Sequence, residues 1–209
     1  MKKFLHSFLL SLLAGIGIGI GGTVYLSLEN KIIGSVLFTV GLYIICLQGL
    51  YLYTGKIGYL LDQPKKAPYA LTLASTWLGN LAGTYLTAKA VSLTRFAAIG
   101  EAARTAASAK INDGIFSLLL LGFFCGILVY AAVDGFKKTG NPVILFLCVT
   151  VFILCGFEHC IANMFYITMA GMWSGKALLS VLVVTLGNSL GGLLIPGVQR
   201  LVASSRDFS

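Results

Sequence analysis

The sequence predicts an all-α membrane protein with six transmembrane helices arranged as two inverted three-helix repeats. Three observations carry that expectation. Of 209 residues, 57% are hydrophobic and only 11% charged, whereas a soluble domain carries about 25% charged residues, so most of the surface does not face water. Six segments are long and apolar enough to cross a bilayer. A six-residue pattern in the third of them recurs in the sixth.

A spanning helix requires about 20 mainly apolar residues. Segments 5–28, 32–54, 69–92, 114–134, 142–172 and 176–202 qualify. The first opens on Met1-Lys2-Lys3 like a signal peptide. Its apolar run continues to about Leu28, however, too long for an h-region, and no small-residue cleavage site follows. It therefore reads as a span. The fifth segment runs for about 31 residues and holds Glu158, His159 and Asn163. That is too polar for one lipid-facing helix, so a break inside it is expected. Segment 62–68 reads as a short connection, and the Ala- and Ser-rich segment 95–113 as a short external helix. The 25 glycines suit close helix packing in lipid.

Six crossings put both termini on one side. Lys2, Lys3, Lys56, Lys65, Lys66, Lys137, Lys138, Arg200 and Arg206 fall on that side, nine against the six of Lys31, Lys89, Arg95, Arg104, Lys110 and Lys176. The bias predicts cytoplasmic termini in a multi-pass protein of the cell's inner membrane. The net charge of +8 is spread between apolar runs, with no interleaved basic and aromatic face. It therefore fits membrane orientation and anion attraction, and nucleic acid is excluded. Cys46, Cys125, Cys148, Cys155 and Cys160 all lie in apolar stretches without metal-ligand spacing. They read as packing residues, and neither a metal nor a cofactor is expected.

Leu78-Gly79-Asn80-Leu81-Ala82-Gly83 matches Leu186-Gly187-Asn188-Ser189-Leu190-Gly191 at an offset of 108 residues. Three spans per half force the halves into opposite orientations, the arrangement of channels and transporters with a pathway at the repeat interface. The chain thus reads as one transmembrane channel domain over 1–209, with repeat one about 5–92 and repeat two about 114–202. Asn80 and Asn188 are expected as structural supports, bonding across packed helices. The same offset sets Thr54 opposite Ala162, close to His159, so the polar middles of the two halves should meet.

Ionisable residues inside a membrane are costly and mark function by default. On that ground His159 is the leading candidate. If the segment is helical, Asn163 shares its face at i+4, while Glu158 points about 100° away, toward backbone or a neighbouring subunit, as structural support. Lys110 is open to two readings, an interfacial anchor that snorkels to head groups or an anion attractor at a pore mouth.

Gly156-Phe157-Glu158-His159-Cys160-Ile161-Ala162-Asn163-Met164-Phe165 resembles the signature of the formate/nitrite transporter family. Gly49-Leu50-Tyr51-Leu52-Tyr53-Thr54 resembles that family's second-span loop, GAELFT or GADLFT. Trp77-Leu78-Gly79-Asn80 and Thr185-Leu186-Gly187-Asn188 resemble its third and sixth spans, so the likeness covers nearly the whole chain. The resemblance implies an aquaporin-like protomer with broken second and fifth helices and one pore in each subunit of a homopentamer. It further implies His159 as the central pore histidine, Thr54 as the loop threonine facing it and Asn163 as the motif asparagine. Phe38, Leu42 and Phe152 fall at the cytoplasmic constriction, Tyr53 at the loop aromatic, Val129 at the other constriction, and Lys110 at the lysine before the fourth helix. Three positions depart from the pattern. Tyr51 stands for the loop acid, removing a charge. Gly126 stands for a pore-lining asparagine, which is expected to widen the outer constriction. Thr168 stands for a proline.

The function so implied is passage of small monovalent anions or their conjugate acids, of the formate, nitrite, hydrosulfide or short carboxylate type, with proton-linked movement through each pore. A neutral-solute channel for water, ammonia or glycerol is the alternative, although no NPA pair is present; a non-transporting membrane scaffold is another. No HExxH, GxSxG or carboxylate cluster points to an enzyme.

Overall fold

The computed structural model describes residues 2–206; the side chains of Lys2, Lys3 and Arg206, which entered the charge bias, lie outside the described part. The chain forms helices α1 (Lys2–Ser27), α2 (Lys31–Leu47), α3 (Tyr53–Lys56), α4 (Lys66–Ser92), α5 (Gly100–Asn112), α6 (Ile115–Thr139), α7 (Val143–Leu154), α8 (Cys160–Ala170) and α9 (Gly175–Arg206). Helices α1, α6 and α9 contain spans apolar and long enough to cross a membrane, and α4 has 27 residues. The second expected span resolves into α2 and α3, the fifth into α7 and α8. The break expected in the fifth is present, and so is the one in the second. The segment 95–113 does contain a helix, α5, preceded by a 3₁₀ turn at Arg95–Ile99.

The two breaks are built alike. Each follows a glycine in the left-handed region, Gly49 at φ 63° and Gly156 at φ 69°, where a side chain would be strained. The Leu50 amide donates to the Ile45 carbonyl as Phe157 does to Phe152, and Tyr51 donates to Leu10 as Glu158 does to Leu121. Around the breaks the repeat offset is therefore 107, one less than between the LGNxxG motifs. Thr54 is thus the counterpart of Ile161, not Ala162, and Leu52 is the counterpart of His159.

Glycines let the long helices meet backbone to backbone. On α4, a Cβ added to Gly83 would strike the Leu12 carbonyl of α1; on α9, one added to Gly191 would strike the Phe123 carbonyl of α6. The pairs α1–α4 and α6–α9 are thereby the inverted equivalents of each other. Apolar side chains cover the outside: Leu71, Phe116 and Leu147 are 73%, 72% and 62% exposed. Such a surface suits lipid or a neighbouring subunit. Inside lie Phe38, Leu118, Leu145, Met164 and Phe165, all nearly inaccessible.

Candidate functional site

Each break is held open by an asparagine. Asn80 accepts the Tyr53 amide at 2.9 Å and donates to the Tyr51 and Ser11 carbonyls at 2.8 and 2.7 Å. Asn188 accepts the Cys160 amide at 2.9 Å and donates to the Glu158 and Gly122 carbonyls, both at 2.8 Å. Both are fully buried. Unpaired backbone groups at a helix break are costly in lipid, and each asparagine satisfies two of them, its third bond joining the break to the first helix of its repeat. Trp77 Nε1 on α4 also donates to Thr185 Oγ1 on α9 at 3.1 Å, tying the repeats together.

The polar middles of the two halves do meet. Thr54 Oγ1 and His159 Nε2 lie 2.8 Å apart. His159 is the residue before α8, in extended conformation, and its Nδ1 accepts the Ala162 amide at 3.2 Å. An amide can only donate, so Nδ1 carries a lone pair and the proton sits on Nε2, donating to Thr54. The ring is then a neutral imidazole with both nitrogens engaged. Phe152 stacks on it at 5.8 Å between centroids, and Phe38 meets Phe152 edge-on at 6.4 Å.

Lys110 points inward. Ala103 and Ala107 of α5 are fully buried, so this helix packs closely on α8 and aims its last turn at the break. Lys110 Nζ lies 2.9 Å from both Glu158 oxygens, and Asn163 Nδ2 donates to Glu158 Oε2 at 2.7 Å. The snorkelling alternative for Lys110 is thereby removed. Glu158, expected to bond to backbone or another subunit, instead bonds to the side chains of Lys110 and Asn163. A carboxylate only accepts, so the Asn163 amide nitrogen must face it. That leaves Asn163 Oδ1 buried without a partner among the described residues.

Two cavities flank the His159–Thr54 contact. One, of about 120 Å³, opens on the α5 side and is lined by Tyr25, Phe38, Lys110, Phe152, His159 and Asn163 among others. The other, of about 600 Å³, opens on the side of the termini, with Leu42, Leu52, Gly55, Lys56, Tyr59 and Lys137 in its wall. Phe38 and Leu42, one turn apart on α2, face different cavities. Leu42 lines the larger cavity and Phe38 and Phe152 the smaller, so the three residues expected at one constriction stand on the two faces of the apolar layer between the cavities.

Tyr53 and Val129 line neither cavity. The Tyr53 hydroxyl is 2.8 Å from Ser189 Oγ on α9. Val129 is buried one turn before Val133, which does line the larger cavity. Gly126 does not widen a constriction either; a Cβ there would strike the Asn188 carbonyl, so it serves the α6–α9 contact. Thr168 donates to the Met164 carbonyl at 2.7 Å and accepts Trp173 Nε1 at 2.9 Å. The charge bias alone casts Lys56 and Lys137 as orientation charges. The five-residue spacing from Tyr51 to Lys56, equal to that from Glu158 to Asn163, was the signal that would have placed Lys56 at a break.

The profile of the family described as formate/nitrite transporter matches residues 1–202. Formate channel FocB of Escherichia coli (strain K12) is 27% identical over 189 residues, an alignment spanning 78% of this chain and 66% of FocB. Nitrite transporter NirC of the same strain is 28% identical over 221 residues, 94% of this chain and 82% of NirC. The solved structure of a pentameric formate channel with formate bound superposes with a TM-score of 0.85 at 25% identity, covering 97% of this chain and 98% of that one.

Proposed function

This chain belongs to the formate/nitrite transporter family, a multi-pass membrane family of transporters, and on that premise we propose that it passes small monovalent anions or their conjugate acids through a pore in each protomer. The observation that carries this reading is the His159–Thr54 contact, 2.8 Å long, standing between two cavities that each contain a lysine. The similar channel of known structure is pentameric, and a homopentamer is the assembly proposed here. Both termini are assigned to the cytoplasm and the protein to the inner membrane, from the charge bias. The pathway is not a catalytic site.

Physical cost sets the mechanism. A bare anion crossing the apolar layer of Phe38, Leu42 and Phe152 costs several kcal/mol or more. Protonating an acid of pKa about 4 at pH 7 costs three units, about 4 kcal/mol. Passage as the neutral acid is the cheaper route, and hydrosulfide would need almost no such step. Lys56 and Lys137 concentrate the anion at the mouth on the side of the termini, while Lys110, paired with Glu158, adds no net charge at the other. Loss of water on entering the narrow layer then favours its protonation. Thr54 and His159 offer hydrogen bonds in the middle, and Asn163 Oδ1 is an acceptor for the O–H of a neutral acid. With Nδ1 taken by the Ala162 amide and Nε2–H given to Thr54, His159 bonds the solute only by turning its Nε2–H from Thr54 to it, and has no proton to give from Nδ1.

A substrate panel in proteoliposomes tests the reading: formate, acetate, lactate, nitrite, hydrosulfide and chloride at two pH values. Formate and nitrite should compete and run faster at lower pH, and ammonia should not compete. Flux of ammonia or glycerol with none of these anions would overturn it.

A further inference from the structure

The two breaks match in backbone and differ in charge. Tyr51 is the counterpart of Glu158, because Asn80 holds the carbonyl of one as Asn188 holds that of the other. Five residues on, Lys56 is the counterpart of Asn163. In repeat two, Glu158 is bonded to Asn163 and paired with Lys110, and the three side chains sum to zero charge. In repeat one, Lys56 Nζ lies 3.4 Å from the centroid of the Tyr51 ring. A ring face holds an ammonium in a water-poor site without cancelling its charge. A carboxylate in that place would cancel it.

Lys137 is held the same way, 4.3 Å from the centroid of the Tyr59 ring, in the wall of the same cavity. The nearby carboxylates are taken by other cations. Asp134 pairs with Lys138 at 2.7 Å and accepts the Tyr59 hydroxyl at 3.2 Å; Asp62 pairs with Arg200 at 3.1 Å. Among the described residues, no acidic side chain lines this cavity. Leu42, Ile45, Leu50, Val133 and Phe136 make the rest of the wall largely apolar, and low-dielectric walls focus the field of the two ammonium groups. At about 600 Å³ the space admits an anion with part of its water.

We propose that this cavity is an anion-binding vestibule in which Lys56, with Lys137 beside it, holds a small monovalent anion, and that it makes the mouth on the side of the termini bind more tightly than the α5 mouth. The affinity difference between the mouths rests on the channel reading above; the binding site itself does not.

The test uses the full chain in detergent and in proteoliposomes of known orientation. Thermal stabilisation by sodium formate and sodium nitrite, at ionic strength held constant with gluconate, reports binding. Sided flux reports the half-saturation concentration at each mouth. Removing one lysine charge near the anion should raise the concentration for half-maximal stabilisation, and half-saturation at the mouth on the side of the termini, about tenfold in Lys56→Gln, and by more in the double variant Tyr51→Glu/Lys56→Asn, which removes that charge and adds a carboxylate. Lys56→Arg should stay within about twofold of the parent. Half-saturation at the α5 mouth should not move in any variant. Folded variants that bind and conduct like the parent overturn the vestibule and leave the channel intact. Stabilisation lost in Lys56→Gln, with no anion flux in the parent, supports the vestibule and refutes the channel.

Discussion

Thr54 and His159 are 105 residues apart in sequence and 2.8 Å apart in space. Each comes from the break of a different repeat, so the inverted arrangement of the halves brings them together. Neither side chain could remain polar and buried at this depth without the other, since an unpaired hydroxyl or imidazole in an apolar interior costs roughly 1–3 kcal/mol.

That pairing predicts a graded response at His159. His159→Asn keeps a group able to bond Thr54 and the solute, and should retain measurable flux with an altered pH profile. His159→Phe fills similar space with no polar atom. It should lower formate and nitrite flux at least about tenfold, the equivalent of one lost hydrogen bond of about 1.4 kcal/mol at the barrier. Parent rates and parent pH dependence in both variants would remove His159 from the pathway.

Thr54 should behave as the other half of the same bond. Thr54→Ser preserves the hydroxyl and should conduct within about threefold of the parent. Thr54→Val keeps the shape but leaves His159 Nε2 without an acceptor, at a cost of roughly 1–3 kcal/mol. Its flux should fall to about the level of His159→Phe, and combining the two changes should add little, because they remove one shared interaction. Additive losses would mean that the two side chains act separately.

Much of this was legible in the sequence because the membrane simplifies the physics. Apolar length gives the spans, and the polar run Glu158-His159 inside a 31-residue segment cannot be a smooth lipid-facing helix. The recurring LGNxxG showed that Asn80 and Asn188 do related work, although not that each satisfies a broken helix. Periodicity could not show which cavity Phe38 and Leu42 face, since residues one turn apart share a helix face yet lie on opposite sides of a thin layer. Nor could it show that Lys110 turns inward; that follows from the close packing of Ala103 and Ala107 on α8. The one-residue slip from an offset of 108 to 107 hid the correspondence of Tyr51 and Lys56 with Glu158 and Asn163.

The twin asparagines predict equal penalties. Asn80→Ala and Asn188→Ala each remove three buried hydrogen bonds to backbone. At about 1 kcal/mol for each, each variant should lose about 2–4 kcal/mol and melt several degrees lower in detergent. The two losses should agree within about 1 kcal/mol if the breaks are truly equivalent. A large loss at one site and none at the other would show that the repeats share a shape without sharing a support.

The Lys110–Glu158 pair predicts that one change costs more than two. Both side chains are largely buried, 17% and 8% exposed. Lys110→Met leaves the Glu158 carboxylate with only the Asn163 amide for company, and an uncompensated buried charge of this kind costs about 3–5 kcal/mol. Adding Glu158→Gln removes that charge while keeping an oxygen to accept from Asn163 Nδ2. The double variant should therefore recover most of the stability lost by Lys110→Met alone, read as the melting temperature of the detergent-solubilised protein. If the two changes simply add, the ion pair is not what fixes the second break, and the packing of α5 on α8 must hold it unaided.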